Sequence, residues 1–356
     1  MAVLPMLYTL GSVAPASVRK WFYKACNLGT TAGLLAARLG PKRAICAALL
    51  LGAVVSFTQA LQLPYGLMIL SRILEGISHL SIVVAGPILI ASLAGETIRA
   101  FAMTLWASFF GVAYALLGLI APPLLAFGGM QALFLGHGLW MALLALLLMA
   151  LLPPDPPRET RPIGNLIARH LALYRSPRIA APAMGFCFYT FLYVASLTLL
   201  PPEAPLSVRA LMQTSMPLIS ILVSLTFGVW ALSKVSAVRL VQVGYLAAIP
   251  GFLIATIFWG TPMGMLLGGL WLSAALGIAQ GASFASIPEL NHSDEDRAGA
   301  AGAVAQLGNV GTTLGTPLLA VVLGKAGPFA FGAIAVICCL GGILLHLWQG
   351  YRRRNS

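Results

Sequence analysis

Between residues 20 and 349 the sequence is a succession of apolar runs, separated by short breaks at proline, glycine and charge. A helical crossing of a bilayer takes about 20 predominantly apolar residues. Eleven stretches meet that requirement: 20–37, 43–62, 66–93, 99–127, 131–153, 177–200, 208–233, 237–259, 262–289, 298–324 and 328–349. In hydrocarbon every backbone N–H and C=O has to be paired internally, which leaves only helices or closed barrels. These runs are too long for barrel strands and lack their period-two alternation. The fold class is therefore an all-α polytopic membrane protein. Composition agrees, with 59% hydrophobic and 8% charged residues and a mean hydropathy of +0.93. Soluble domains carry roughly 25% charge, so soluble enzymes, nucleic-acid binders and disordered scaffolds are excluded. The five cysteines lie in apolar stretches with no metal or redox spacing and read as small packing residues.

One segment breaks the pattern. From Pro153 to Arg178 the chain carries PPDPP and then Arg158, Arg161, Arg169, Arg175 and Arg178. This divides the sequence into a first helical half (1–152), a central loop (153–177), a second helical half (178–349) and a basic tail (350–356). The second half holds six runs. The first holds five, preceded by Met1 to Gly11, which is apolar but about half the length of a crossing. The expectation is two six-helix halves with the first helix truncated or the start of the chain assigned late. With the central loop placed in the cytoplasm, fifteen basic residues fall on that side and five on the other. The positive-inside bias then puts both termini in the cytoplasm, and the setting is a bacterial inner membrane.

The halves also repeat weakly. The first has Glu75-Gly76, Pro87 and Arg99-Ala100; the second has Gln280-Gly281, Pro288 and Arg297-Ala298. This pairing matches Gln280 to Glu75. Between the second and third helices lies GLLAARLGPKR, from Gly33 to Arg43, and Arg72 is followed four residues later by Gly76. With these features the chain resembles the major facilitator superfamily of transporters. Its loop signature is Gly, three residues, Asp, Arg, one residue, Gly and then basic residues. Gly33, Arg38, Gly40, Lys42 and Arg43 fall in place, while the Asp position is Ala37. The resemblance implies two six-helix pseudo-repeats and a gating role for this loop. It extends to the branch holding cyanate- and nitrate-type permeases. Without the acid at Ala37, a bare positive-inside loop is the competing reading, with Asp296 left to favour the positive end of its own helix.

Ionisable groups inside a membrane are costly and mark function by default. Of nine acidic residues only Glu75 lies well inside a run. Arg72, Glu75 and His79, spaced i, i+3 and i+7, share one helical stripe. Such a stripe points to substrate binding or proton coupling, with Glu75 as the proton-responsive or charge-sensing group, Arg72 its partner and His79 a modulator. A buried structural ion pair is the alternative. Gln280, Gln306 and Asn309 offer amides that bind a polar solute or bond helix to helix. His137 and His346 read as residues near the membrane interfaces and not as ligands.

The reading that follows is a secondary transporter moving a small solute by alternating access, with proton coupling as one option. There is no Walker sequence for ATP to drive it, and no enzyme site can be assembled from these residues. The implied partners are a small-molecule solute, a small anion among the candidates, and the lipid bilayer. No nucleic acid and no cofactor is expected, and the protein is read as a monomer. The alternative is a non-transporting membrane sensor or assembly protein on the same fold. The topology is testable. In intact cells an impermeant thiol reagent is expected to label Leu63→Cys and to leave Thr160→Cys unmodified; labelling at 160 reverses the orientation.

Overall fold

The computed structural model describes residues 39–155 and 166–355. The expected 20–37 helix and the expected truncation of the first helix fall outside these residues. The described residues form α1 Pro41–Gln59, α2 Tyr65–Leu93, α3 Glu96–Ala107, α4 Phe109–Leu151, α5 Leu166–Arg175, α6 Ala180–Glu203 and α7 Leu206–Val223. They continue through a π turn, Ser224–Gly228, into α8 Val229–Leu232, α9 Ala237–Ile257, α10 Pro262–Leu290 and α11 Asp294–Arg354. Eight helical stretches among them are long and apolar enough to cross a membrane.

Ten of the eleven expected runs lie in the described residues, and all ten are helical. The differences lie at joints. The 99–127 run breaks at Ser108 into α3 and the first arm of α4. The 208–233 run passes through the π turn. The central loop carries α5, whose Leu173 packs against Gly299 of α11. The last helix runs on through Arg354, so the basic residues expected in a tail form its final turn. Arg352 Nη2 donates to the Arg175 carbonyl at 2.7 Å and Arg353 Nη1 to that of Pro177 at 3.1 Å.

The two halves share a register that composition did not reveal. α2 and α10 are each 29 residues long. α4 and α11 each reverse direction on a glycine with positive φ, Gly129 at 63° and Gly327 at 78°. A side chain at either turn would be strained. Helix starts and turns are offset by 196 to 198 residues between the halves. That register pairs Arg99 with Arg297, as expected. Each guanidinium reaches back to a carbonyl before its own helix, Arg99 to Ala94 and Arg297 to Asn291. It also corrects one pairing: Glu75 corresponds to Leu272, and Gln280 to Val83.

Small residues let the helices touch backbone to backbone, which is how helices associate where water gives no hydrophobic push. On α9 and α10, added Cβ atoms on Gly244 and Gly251 would lie 2.8 Å from Ala279 N and 2.6 Å from Leu272 N. On α11, Gly308, Gly311 and Gly315 face Phe186, Thr190 and the Phe191 backbone of α6. Polar groups in this core are spent on neighbouring helices: Tyr245 Oη donates to the Gly185 carbonyl at 2.6 Å, and Ser78 Oγ to that of Ala48 at 2.7 Å.

At the face carrying the basic loops, carboxylates cap helix starts. Asp155, just past α4, accepts the backbone N–H groups of Lys42 and Arg43, both at 3.0 Å, in the first turn of α1. Lys42 Nζ returns the contact, donating to the Met149 carbonyl at 3.0 Å and also to that of Leu152. A Cβ on Gly40 would collide with the Asp155 side chain, and Gly40 has φ 91°. In the second half Glu289 accepts from the Ala237 N–H at 2.7 Å, at the start of α9. Negative charge at a helix N-terminus is favourable. Asp155→Ala is expected to cost about 1–2 kcal/mol, the usual loss of a helix cap, with Asp155→Asn losing less. Thermal unfolding in detergent measures it; equal midpoints for wild type and Asp155→Ala would show that the clasp contributes nothing.

Candidate functional site

The polar stripe expected on one helix is part of a cluster built by three. α1 packs against both α2 and α4. From its last turn it contributes Ser56 and Gln59, spaced i, i+3 on one face. α2 contributes Ser71, Arg72 and Glu75, and the second arm of α4 contributes Phe134 and His137. Glu75 Oε2 accepts from Arg72 Nη1 at 2.6 Å and from Gln59 Nε2 at 2.9 Å. Gln59 Nε2 also donates to Ser71 Oγ at 3.1 Å. The Arg72 guanidinium lies 5.1 Å from the centre of the Phe134 ring, within cation–π range. Ser56 Oγ and His137 Nδ1 are 2.7 Å apart.

This arrangement has a floor and an open side. Gln59 and Ser56 are 1% and 0% exposed, and Gln59 Oε1 has no hydrogen-bond partner among the described residues. Above them the Arg72 and Glu75 side chains keep 27% and 30% exposure. His79, one turn past Glu75, and His137 are exposed. Both imidazoles lie within electrostatic reach of Glu75, and His137 also of Arg72. A fixed cation with a movable carboxylate partner, beside two imidazoles, can hold an anionic group or exchange a proton.

His137 is the residue that sequence reasoning misplaced. It was expected near an interface, but it stands eight residues beyond the Gly129 turn, about 12 Å along the helix. Its flanking glycines were the available signal. A Cβ on Gly138 would lie 2.8 Å from the Phe57 ring and 3.2 Å from the Ala53 carbonyl, so close approach to α1 needs a glycine there. Gln59 and Ser56 were missed as well, although Gln59 is one of only two amides in its run. His346 lies elsewhere, 1% exposed and packed on Gly185.

The amides expected to bind solute separate from this cluster. Gln280 is 4% exposed, and its Nε2 donates to the Ala107 carbonyl, where the turn at Ser108 interrupts the helix between α3 and α4. Ala107 belongs to the first half and Gln280 to the second, so the bond crosses the seam between them. Gly281 beside it would meet Ser224 and Thr104 if it carried a Cβ, and Gly111 would meet Ile221. Gln306 is 7% exposed in the buried first turns of α11, and Asn309 one turn on is exposed. Of the loop-motif residues, Gly33 and Arg38 fall outside the described residues. Gly40 and Lys42 serve the clasp with Asp155, and Arg43 joins it through its backbone N–H.

Helix length sets the levels. Gln280 stands ten residues from the end of α10, about 15 Å from the basic face; Glu75 stands eighteen residues from the corresponding end of α2, about 27 Å. The seam bond of Gln280 therefore lies on the basic side of the charged cluster.

The chain belongs to the Major Facilitator Superfamily, whose sequence profile matches residues 28–292. Its fold is similar to that of a variant of the fucose:proton symporter FucP of E. coli, with a TM-score of 0.70, 20% identity and 90% of this chain aligned to 87% of that one. It is similar also to the human organic anion transporter MFSD10 (TETRAN), with a TM-score of 0.77, 20% identity and coverage of 90% and 80%. A structure of FucP in the outward conformation aligns over 96% of this chain and 92% of its own, with a TM-score of 0.72 and 19% identity. No curated protein matches the sequence.

The seam bond is open to test. A helix-to-helix hydrogen bond in a membrane is worth about 1 kcal/mol, roughly a fivefold change in an equilibrium. Gln280→Leu is expected to fold and to shift the distance distribution between spin labels at positions 95 and 293 toward wider separation. An unchanged distribution would deny the bond any part in holding the halves together.

Proposed function

We propose that the protein is a secondary transporter that carries a small anionic solute across a bacterial inner membrane by alternating access. The observation that carries this reading is the Arg72–Glu75 pair, set deep in the first half yet partly exposed, with Gln59 holding the carboxylate from below. An apolar bundle retains such a pair at a cost, and its exposure argues against a purely structural role. Arg72 is the group that binds the solute's negative charge. Glu75 neutralises Arg72 when the site is empty and is displaced when an anion arrives.

The position of the seam supports alternating access. The seam bond lies on the basic side of the cluster, so the site communicates with the opposite face. With the basic face in the cytoplasm, as the charge bias supports, this is an arrangement open to the outside, in keeping with the outward conformation of FucP. The names of the two similar transporters support an ion-coupled solute carrier, one as a proton symporter and one as an organic anion transporter. The coupling ion in this reading is the proton. Both termini are cytoplasmic in it, and the working unit is a monomer.

Flux of lactate, nitrate, cyanate and phosphate into proteoliposomes tests the reading. Glu75→Gln alone leaves a cation uncompensated, and breaking a buried pair costs about 3–5 kcal/mol; partial exposure puts this one at the low end. A loss of folded protein is therefore expected from that single change. The neutral pair Arg72→Gln with Glu75→Gln restores the charge balance, and it is expected to fold and to move no anion. Transport by the double variant at the wild-type rate would remove the pair from the mechanism. Flux of none of these anions by the wild type would favour the sensor or assembly reading.

A further inference from the structure

Glu75 is already satisfied as a carboxylate. Its Oε2 accepts from both Arg72 and Gln59, and a guanidinium and an amide NH2 only donate. A proton on Glu75 would give up the charge-assisted bond to Arg72. His137 stands differently. Its Nδ1 lies 2.7 Å from Ser56 Oγ, and a hydroxyl both donates and accepts. Ser56 can give its proton to a neutral ring and receive the N–H of a charged one, so this bond survives either state.

We propose that His137 is the group that takes up the transported proton, with Ser56 as its reversible partner, while Glu75 stays ionised as the counter-charge of Arg72. The inference rests on the transporter reading above and assigns the proton within its site. Charge balance supplies the reason. Empty, the cluster holds one guanidinium, one carboxylate and neutral imidazoles, and its net charge is zero. A monovalent anion on Arg72 makes it −1, and one proton on His137 returns it to zero. A neutral site is the one that can be enclosed in a low-dielectric bundle without a desolvation penalty on an unpaired charge.

Every charged or titratable group facing His137 among the described residues comes from α2: Arg72 and Glu75, with His79 a turn beyond Glu75. α1 faces it with a hydroxyl and an amide, Ser56 and Gln59. The basic and acidic groups of the clasp, Lys42 and Asp155, lie at the far end of α1 and α4. The Arg72 guanidinium lies over Phe134, one turn from His137 on α4, and His137 bonds Ser56 one turn from Gln59, the partner of Glu75, so His137 stands beside both members of the pair and responds when an anion separates them.

The test has two arms on the full-length protein in E. coli polar lipid. In the first, the five histidines are labelled with 15N in nanodiscs and titrated between about pH 5 and 9, the range in which histidine changes charge. The signal lost in His137→Asn is expected to titrate there, and its midpoint to move by about half a pH unit or more in Ser56→Ala and in the neutral Arg72→Gln, Glu75→Gln double variant. A His137 signal that does not titrate, or that ignores both changes, overturns the proposal. In the second arm, liposomes loaded with pyranine receive lactate, nitrate or cyanate. Wild type and His79→Asn are expected to move protons with the anion. In His137→Asn the proton signal is expected to fall to background and anion exchange to slow with it, because the loaded site is left with a net negative charge, whereas Ser56→Ala, which keeps the imidazole, is expected to retain proton movement. Proton movement retained in His137→Asn, or lost in His79→Asn with His137 intact, overturns the assignment while leaving the transporter reading in place. Wild type moving none of these anions brings down the transporter reading and the proposal with it.

Discussion

In hydrocarbon a polar group without an internal partner costs several kcal/mol, and this chain is organised around that constraint. It has few charges, and several of those among the described residues close helix starts or pair with one another. Asp155 and Glu289 close helix starts where backbone N–H groups would otherwise be left open. Asp294 faces Arg297 at 3.6 Å in the first turn of α11, and Ser293 caps that helix through the Asp296 N–H. Glu75 is the exception in depth, not in kind: it too has partners, a cation and an amide. A carboxylate that far inside the bundle folds stably only because α1 brings Gln59 and α2 brings Arg72 to the same oxygen.

The two halves share a plan and diverge in chemistry. Equal helix lengths and matching glycine turns carry the plan. The divergence is sharpest at the charged level, where Leu272 stands opposite Glu75 in the repeat and is fully buried. Elsewhere in the second half, α6 presents a stacked run of Phe186, Tyr189 and Tyr193, with ring centres 5.1 and 5.2 Å apart. At this level the charges lie on the first half. The second half supplies packed apolar and aromatic surface, against which a charged site can be sealed from water.

What the sequence discloses follows from range. The ten described spans and the stripe on α2 come from local periodicity, and these were legible because a helix places i, i+3 and i+7 together whatever surrounds it. The amide pairing of Gln280 with Glu75 was misread because it aligned similar dipeptides. The true register is set by helix ends and by turns such as Gly129 and Gly327, whose role appears only in the backbone. Gln59 and His137 join the Glu75 cluster from positions 16 and 62 residues away in the chain. No periodicity links them, and only the packing of α1 between α2 and α4 brings them together. The loop motif was legible as residues and not as contacts: Lys42 meets its partners more than a hundred residues away, at the end of α4.

The levels of seam and site give the fold its mechanical sense. A bond across the seam at Ala107 and Gln280 lies at a helix break, where a carbonyl is open to a side chain without disturbing a continuous ladder. The π turn at Ser224 lies beside it, and the small residues Gly111 and Gly281 line the same contact. Small side chains and interrupted helices cost little to part, since few interdigitated groups have to be withdrawn. The clasps of Asp155 and Glu289, in contrast, tie helices within a half and keep each half rigid. Strong bonds inside the halves and a light, polar seam between them are what rigid-body rocking about a fixed site needs, and the charged cluster lies on the side of the seam where such a motion would open and close its access.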